Sequence, residues 1–146
     1  MNYYPFQSKG YLKPVEGWWM LLTCDPELVR YYCWLAERWG IEMEVGSRHG
    51  PHISVIKGQK PKNKKFWFAL EGKSYYFKYS NVLRHNGYHA WLDVKCPALS
   101  DLRVKLGMDP KPYHSFHLTV GRIKLGIDHA LHEPRPKKSK TRKIIV

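Results

Sequence analysis

Two short segments, His52-Ile53-Ser54-Val55 and His117-Leu118-Thr119-Val120, repeat one pattern: histidine, apolar residue, small hydroxyl residue, apolar residue. In a strand, side chains alternate between faces, so each copy presents its histidine and hydroxyl on one face and packs its apolar pair on the other. Two such strands side by side bring two imidazoles and two hydroxyls to a common cleft, a set suited to a phosphodiester. With an unperturbed pKa near ~6.5, one imidazole can act as base while the other, protonated, acts as acid near neutral pH. Sequence alone leaves open which of His52 and His117 takes which role.

The elements that must position these residues read twice along the chain. From Glu16 to Cys24 the residues are apolar strand formers, and Asp25-Pro26 then offers a helix cap and a proline suited to the first helical position. Leu28, Tyr31, Tyr32, Leu35 and Trp39 follow at helical spacing on one face, with Gly40 to close the helix. A short strand over Ile41 to Val45 and a turn over Gly46 to Pro51 lead into the first motif strand.

In the second half, Lys73 to Asn81 and His89 to Lys95 read as strands joined through an Asn86-Gly87 turn. Ser100 is placed to cap a short helix with Leu99 and Val104 as a hydrophobic staple, and Gly107 to end it. The second motif strand then runs from Ser115 to about Ile123. Strand, helix, linker and motif strand thus occur twice, which predicts an α/β (α+β) fold of two related halves, with the motif strands near a pseudo-two-fold axis. Between the halves lie a basic loop, Lys57 to Lys65, and Phe66 to Leu70, a strand or flap. The expected domain covers 1–133, and 134–146 reads as a basic, flexible tail.

The chain has 146 residues, 43% of them apolar, enough for a buried core in one domain or two closely packed lobes. Its formal charge of +13, from 25 Lys+Arg against 12 Asp+Glu, favours an anionic partner. The three cysteines, Cys24, Cys33 and Cys96, are scattered and odd in number, which argues against a disulfide framework and for a reducing compartment. Met1 to Gly10 lacks the apolar core of a secretion signal, and no apolar run approaches the ~20 residues of a membrane helix. A soluble cytoplasmic protein is the expectation.

The duplicated tetrad resembles that of the two-histidine (2H) phosphoesterases, which carry paired His-x-Ser/Thr-x motifs on a bilobal α/β fold. Within that superfamily the small size, basic charge and aromatic content look most like the phage nucleases that degrade cyclic oligonucleotide signals of CBASS immunity. The resemblance covers the two tetrads and the order of elements around them. It implies two pseudo-symmetric lobes whose motif strands face a central cleft, and no metal or other cofactor. It also implies that His52 and His117 exchange protons with the attacking and leaving oxygens, while Ser54 and Thr119 hydrogen-bond the non-bridging phosphate oxygens. The implied substrate is a cyclic di- or trinucleotide in a host bacterial cytoplasm. An RNA end bearing a 2′,3′-cyclic phosphate is the alternative.

Tyr11 and Trp67 are the leading candidates to stack on bases, with Tyr88 and Trp91 behind them. Arg48, Arg122 and Lys124 flank the motifs and are candidates to neutralise phosphate, while Glu133 could close over a base edge if the tail acts as a lid. Two rival readings compete with catalysis by paired imidazoles. A metal site would use the pairs His49/His52, His114/His117, His85/His89 or His129/His132, but positions three apart on a continuous strand face opposite ways and no carboxylate lies near the motif pairs. A noncatalytic nucleic-acid binder would explain the basic loop, basic tail and aromatics, and would leave the paired tetrads without a purpose.

Overall fold

Each half of the chain builds two hairpin strands, a helix and a third strand. In the computed structural model, which describes residues 3–44, 48–124 and 142–145, the first half comprises β1 (Phe6–Val15), β2 (Trp19–Thr23), α1 (Pro26–Arg38), the two-residue β3 (Met43–Glu44) and β4 (His52–Lys57). The second comprises β5 (Ser74–His85), β6 (His89–Lys95), α2 (Pro97–Lys105) and β7 (His117–Ile123), followed by β8 (Arg142–Ile145). A 3-10 turn, Phe68–Leu70, lies between the halves where a strand or flap was one expectation.

The strands pair antiparallel in the order β1-β2-β4-β7-β6-β5, and β5 returns to pair with β1, closing a six-stranded barrel. Closure removes the sheet edges that would otherwise expose unpaired backbone. β3 adds to β7 and β8 adds to β5 outside the closed circuit. The fold is α+β and mostly strand. Its element order has a two-fold pattern: β1, β2, α1 and β4 match β5, β6, α2 and β7. The halves are joined by six residue pairs between β1 and β5, but between the motif strands by one, Ile53↔Leu118.

The barrel interior is filled by Leu12, Met20, Leu22, Ile53, Phe77, Leu83, Leu92 and Leu118, each at most 2% exposed. At ~1.5–3 kcal/mol for each fully buried aliphatic or aromatic side chain, this core drives folding. Helix α1 begins as its sequence indicates: the Asp25 carboxylate accepts from the Glu27 amide, and Pro26 occupies the first turn. Its buried face differs from the expected one. Val29, Tyr32, Cys33 and Ala36 are buried, while Tyr31 and Trp39 are exposed. Several of these residues are small, which lets the helix backbone approach β7 closely, and the larger rings are left outside.

Helix α2 starts at Pro97, three residues before Ser100, with Cys96 at the cap position. Val104 is exposed while Leu99 is buried, so the staple between them does not form. Strand β1 was not read from sequence because its only buried residues are Gly10 and Leu12, too few to mark an alternating apolar face. Glycine is required at that first position, where a Cβ would lie 2.6 Å from the Thr23 carbonyl oxygen across the β1–β2 pair. No helix among the described residues is long and apolar enough to cross a membrane. Of the tail, 142–145 forms β8, while 134–141, Glu133, His129 and His132 lie outside the described residues.

Candidate active site

The alternation anticipated for both tetrads is present. Ile53, Val55, Leu118 and Val120 are buried, while His52, Ser54 and His117 are half-buried and Thr119 is exposed on the outer face of the barrel. From the antiparallel pair Ile53↔Leu118, one step either way sets Ser54 opposite His117 and His52 opposite Thr119. The four groups form a compact quartet, each imidazole beside a hydroxyl of the other strand. Directly opposed Cβ atoms in such a ladder lie ~4.5–5.5 Å apart, which places each imidazole next to a hydroxyl of the other strand.

Both tetrads end at a β-bulge. Met20 pairs with Ile56 and Leu21 with Ser54, so Val55 is an extra residue on β4. Ala90 pairs with Gly121 and Trp91 with Thr119, so Val120 is the corresponding extra residue on β7. A bulge shifts the alternation by one residue. Without it, positions three after Ser54 and Thr119 would face inward; with it, Lys57 and Arg122 are exposed on the face that carries the quartet. The repeat is therefore six residues long, histidine to cation.

Each bulge carbonyl is held by the helix of the opposite half. Arg103 of α2, 3% exposed, donates from Nη1 to the Val55 carbonyl at 2.8 Å and from Nε to the Asp109 carbonyl at 2.7 Å. Cys33 of α1 contacts the Val120 carbonyl through Sγ at 3.6 Å, a weaker thiol hydrogen bond. The helices thus brace the motif strands crosswise.

Both histidines are anchored in the same way. His52 Nδ1 lies 2.7 Å from the Gly50 carbonyl oxygen and His117 Nδ1 lies 2.8 Å from that of Ser115, in each case two residues back. A carbonyl only accepts, so Nδ1 carries the proton, and in the neutral ring the lone pair is on Nε2. Nε2 is therefore the atom available for proton transfer in both rings. Burial pushes the His52 pKa below its ordinary value, and the positive forms of His49, His117 and Lys57 push the same way, against the Gly50 carbonyl.

A cleft of about 440 Å³ opens beside His52 and Thr119, lined also by Val29, Glu44, His89 and Arg122. Glu44 and His89 are the register partners of Arg122 from either side. The other end of the quartet meets β6. Asp93 is the register partner of His117, and its carboxylate accepts from Arg84 Nη1 at 2.5 Å and Trp91 Nε1 at 3.2 Å. The Trp91 ring packs edge-on to His117, with centroids 6.3 Å apart.

Among the softer candidates, Tyr11 is 49% exposed and lies in the same cross-strand row as His52, with Thr23 between them. Trp67 is not available for stacking on a base: it is 3% exposed and packs against Trp18 at 5.2 Å in the core. The apolar surroundings that make an indole a good stacking surface serve here to bury it. Arg122 lines the cleft; Arg48 and Lys124 are exposed outside its lining, and Tyr88 is half-buried in the β5–β6 turn. Asp93, Arg84, Glu44 and Arg103 were missed from sequence. The alternation His89-Ala90-Trp91-Leu92-Asp93 carried the signal for Asp93, whereas the cross-half contact of Arg103 had none. Among the described residues, no three His, Cys, Asp or Glu side chains group as metal ligands.

Compared with protein-family models, curated proteins and solved structures, the chain matches none.

Proposed function

We propose that this chain is a phosphodiesterase that uses paired imidazoles, with the two ββαβ halves acting as the lobes of a two-histidine phosphoesterase fold. The observation that carries the reading is the identical anchoring of His52 and His117, Nδ1 to the carbonyl two residues back, on adjacent strands that each add a hydroxyl beside the other's ring. Structural histidines have no need of matched tautomers with both Nε2 atoms on one face.

In the proposed reaction the depressed pKa of His52 makes it the base. Its Nε2 takes the proton of the attacking oxygen, a ribose 2′-hydroxyl in a 3′-5′ linked ribonucleotide or water in a 2′,3′-cyclic phosphate. The new oxygen–phosphorus bond forms, the bond to the leaving oxygen breaks, and His117 Nε2 gives that oxygen a proton. Ser54 and Thr119 donate to the non-bridging oxygens, where charge builds up. Side chains supply every proton transfer in this scheme. The substrate we propose is a ribonucleotide phosphodiester, with a cyclic di- or trinucleotide immune signal in a bacterial cytoplasm as the case favoured by the resemblance.

The test is incubation, with chelator present, against cyclic oligonucleotides, 2′,3′-cyclic phosphates and linear oligoribonucleotides. Cleavage is expected to persist in chelator and to fall ~10²–10⁴-fold in His52→Ala and in His117→Ala. No cleavage of any substrate, or full activity in either variant, refutes the reading.

A further inference from the structure

We infer that Lys57 and Arg122 form a second repeated pair in this site, a clamp for the two phosphates that flank the scissile one, so that the preferred substrate is an oligonucleotide with a separate phosphate on each side. That is a linear chain or a cyclic trinucleotide rather than a cyclic dinucleotide, which has only one phosphate besides the scissile one. This inference rests on the phosphodiesterase reading above. The bulges at Val55 and Val120 bring both cations onto the quartet's face at the same offset from their histidines. Because β4 and β7 are antiparallel, the face reads in order Lys57, Ser54 with His117, His52 with Thr119, Arg122. At ~3.3 Å per residue the two cations stand on the order of 20 Å apart by their backbones, each roughly 10 Å from the centre. Their long side chains can lean inward over that distance to meet neighbouring phosphates, while the central phosphate belongs to the quartet.

Neither cation is in an ion pair among the described residues. Lys57 Nζ rests over the ring of Trp19, its register partner on β2, 5.4 Å from the centroid, and swings off that ring to reach a phosphate beside the quartet. Arg122 lines the cleft with His52 and Thr119, and its register partner Glu44 stands on the side away from His89. A mononucleoside 2′,3′-cyclic phosphate has no flanking phosphates and would leave both cations idle.

The experiment compares two substrates at pH 8, where His52 is neutral in every variant: a dinucleoside with one phosphodiester, and the same unit phosphorylated at its 5′ and 3′ ends. The expected kcat/KM ratio favours the triply phosphorylated substrate by about 10-fold or more at 50 mM salt. Lys57→Gln and Arg122→Gln should each reduce that ratio ~3- to 5-fold, and the double variant should bring it near one. A ratio that stays at its original value in all three variants overturns the clamp.

Anisotropy of a fluorescein-labelled oligoadenylate, titrated with the same proteins over a salt series, separates the two claims. Each substitution should lower the slope of log K against log salt by ~0.7. If no substrate is cleaved but both slopes fall, the clamp stands and the phosphodiesterase reading is lost. If cleavage occurs and neither the ratio nor the slope moves, the clamp is lost and the phosphodiesterase reading stands.

Discussion

Replacing Arg103 by methionine should cost both stability and catalysis, because this buried guanidinium connects α2 to the bulge that shapes the first motif. It donates to two carbonyls, Val55 at 2.8 Å and Asp109 at 2.7 Å. Hydrogen bonds from a charged donor contribute ~1.5–3 kcal/mol each, so removing both costs about 3–6 kcal/mol. Those figures are already net of the donor's desolvation, and methionine keeps part of the packing, so the lower end of the range applies. A net loss of about 3 kcal/mol follows, within a total of ~5–15 kcal/mol for a domain. In urea, with a slope of ~1.5–2 kcal/mol/M, the midpoint should fall by about 1.5–2 M at unchanged slope. Arg103→Lys can restore one of the two bonds and should fall between. Assayed where the variant remains folded, kcat should drop, because the unheld Val55 carbonyl frees the bulge and with it the register of Ser54 and Lys57. A midpoint shift below ~0.3 M, or a folded Arg103→Met protein with the parent's kcat, refutes the reasoning.

Burial and neighbouring positive charge hold the His52 pKa below its ordinary 6.5, so a reaction that needs this ring neutral loses activity only as pH falls below that value. Lys57→Gln removes one of the lowering influences and should move the acid limb of kcat/KM upward; a limb that stays put or moves down contradicts the assignment of His52 as base. The same shift makes a stability statement: the folded pKa lies below the unfolded one, so the contribution is complete above pH 6.5 and is lost as pH falls through the folded value. His52→Asn should therefore flatten the acid side of a urea-midpoint against pH curve. Trp67→Ala should destabilise by ~3–5 kcal/mol in chemical unfolding, whereas Tyr11→Ala should change stability by less than ~0.5 kcal/mol and weaken oligonucleotide binding by ~1–3 kcal/mol in anisotropy titrations. Burial raises the thiol of Cys24 to about 12 and that of Cys33 to about 11, and pushes Cys96 upward as well, so a disulfide reagent at pH 8 should label all three only as fast as the protein unfolds.

The parts of this fold legible in the sequence are those that local chemistry dictates. Asp25-Pro26 specifies a helix start, Asn86-Gly87 specifies a hairpin, and alternation in each tetrad specifies which atoms face outward; each of these signals lies within a few residues. The order of elements also survives, since ββαβ occurs twice once β1 is recognised. What could not be read depends on partners distant in sequence. Trp67 looks like an exposed ring beside a basic loop until Trp18 is brought against it. The buried face of α1 is chosen by the approach to β7 rather than by the largest side chains. The bulges at Val55 and Val120 are invisible in a four-residue pattern, because they appear only when β2 and β6 supply the opposing register.

Duplication by itself gives two equivalent histidines, and equivalence would leave the direction of proton transfer undecided. The outer strands break it. Thr23 of β2 is the register partner of His52, and Asp93 of β6 is that of His117, so the corresponding positions hold a neutral hydroxyl on one side and a carboxylate on the other. Each is fixed in place: Thr23 Oγ1 donates to the Tyr11 carbonyl at 3.0 Å, and Asp93 is held between Arg84 and Trp91. The loops differ too, since His49 packs its ring 6.4 Å from that of His52 and joins burial in lowering the His52 pKa. A repeated frame thus sets the spacing of the four groups, while residues outside the repeat give the two histidines different surroundings, from which the proposed base assignment follows. In such a site, substitutions on β2, β6 or the 48–51 turn should redistribute the proton roles, and substitutions at the bulges should disturb the spacing itself.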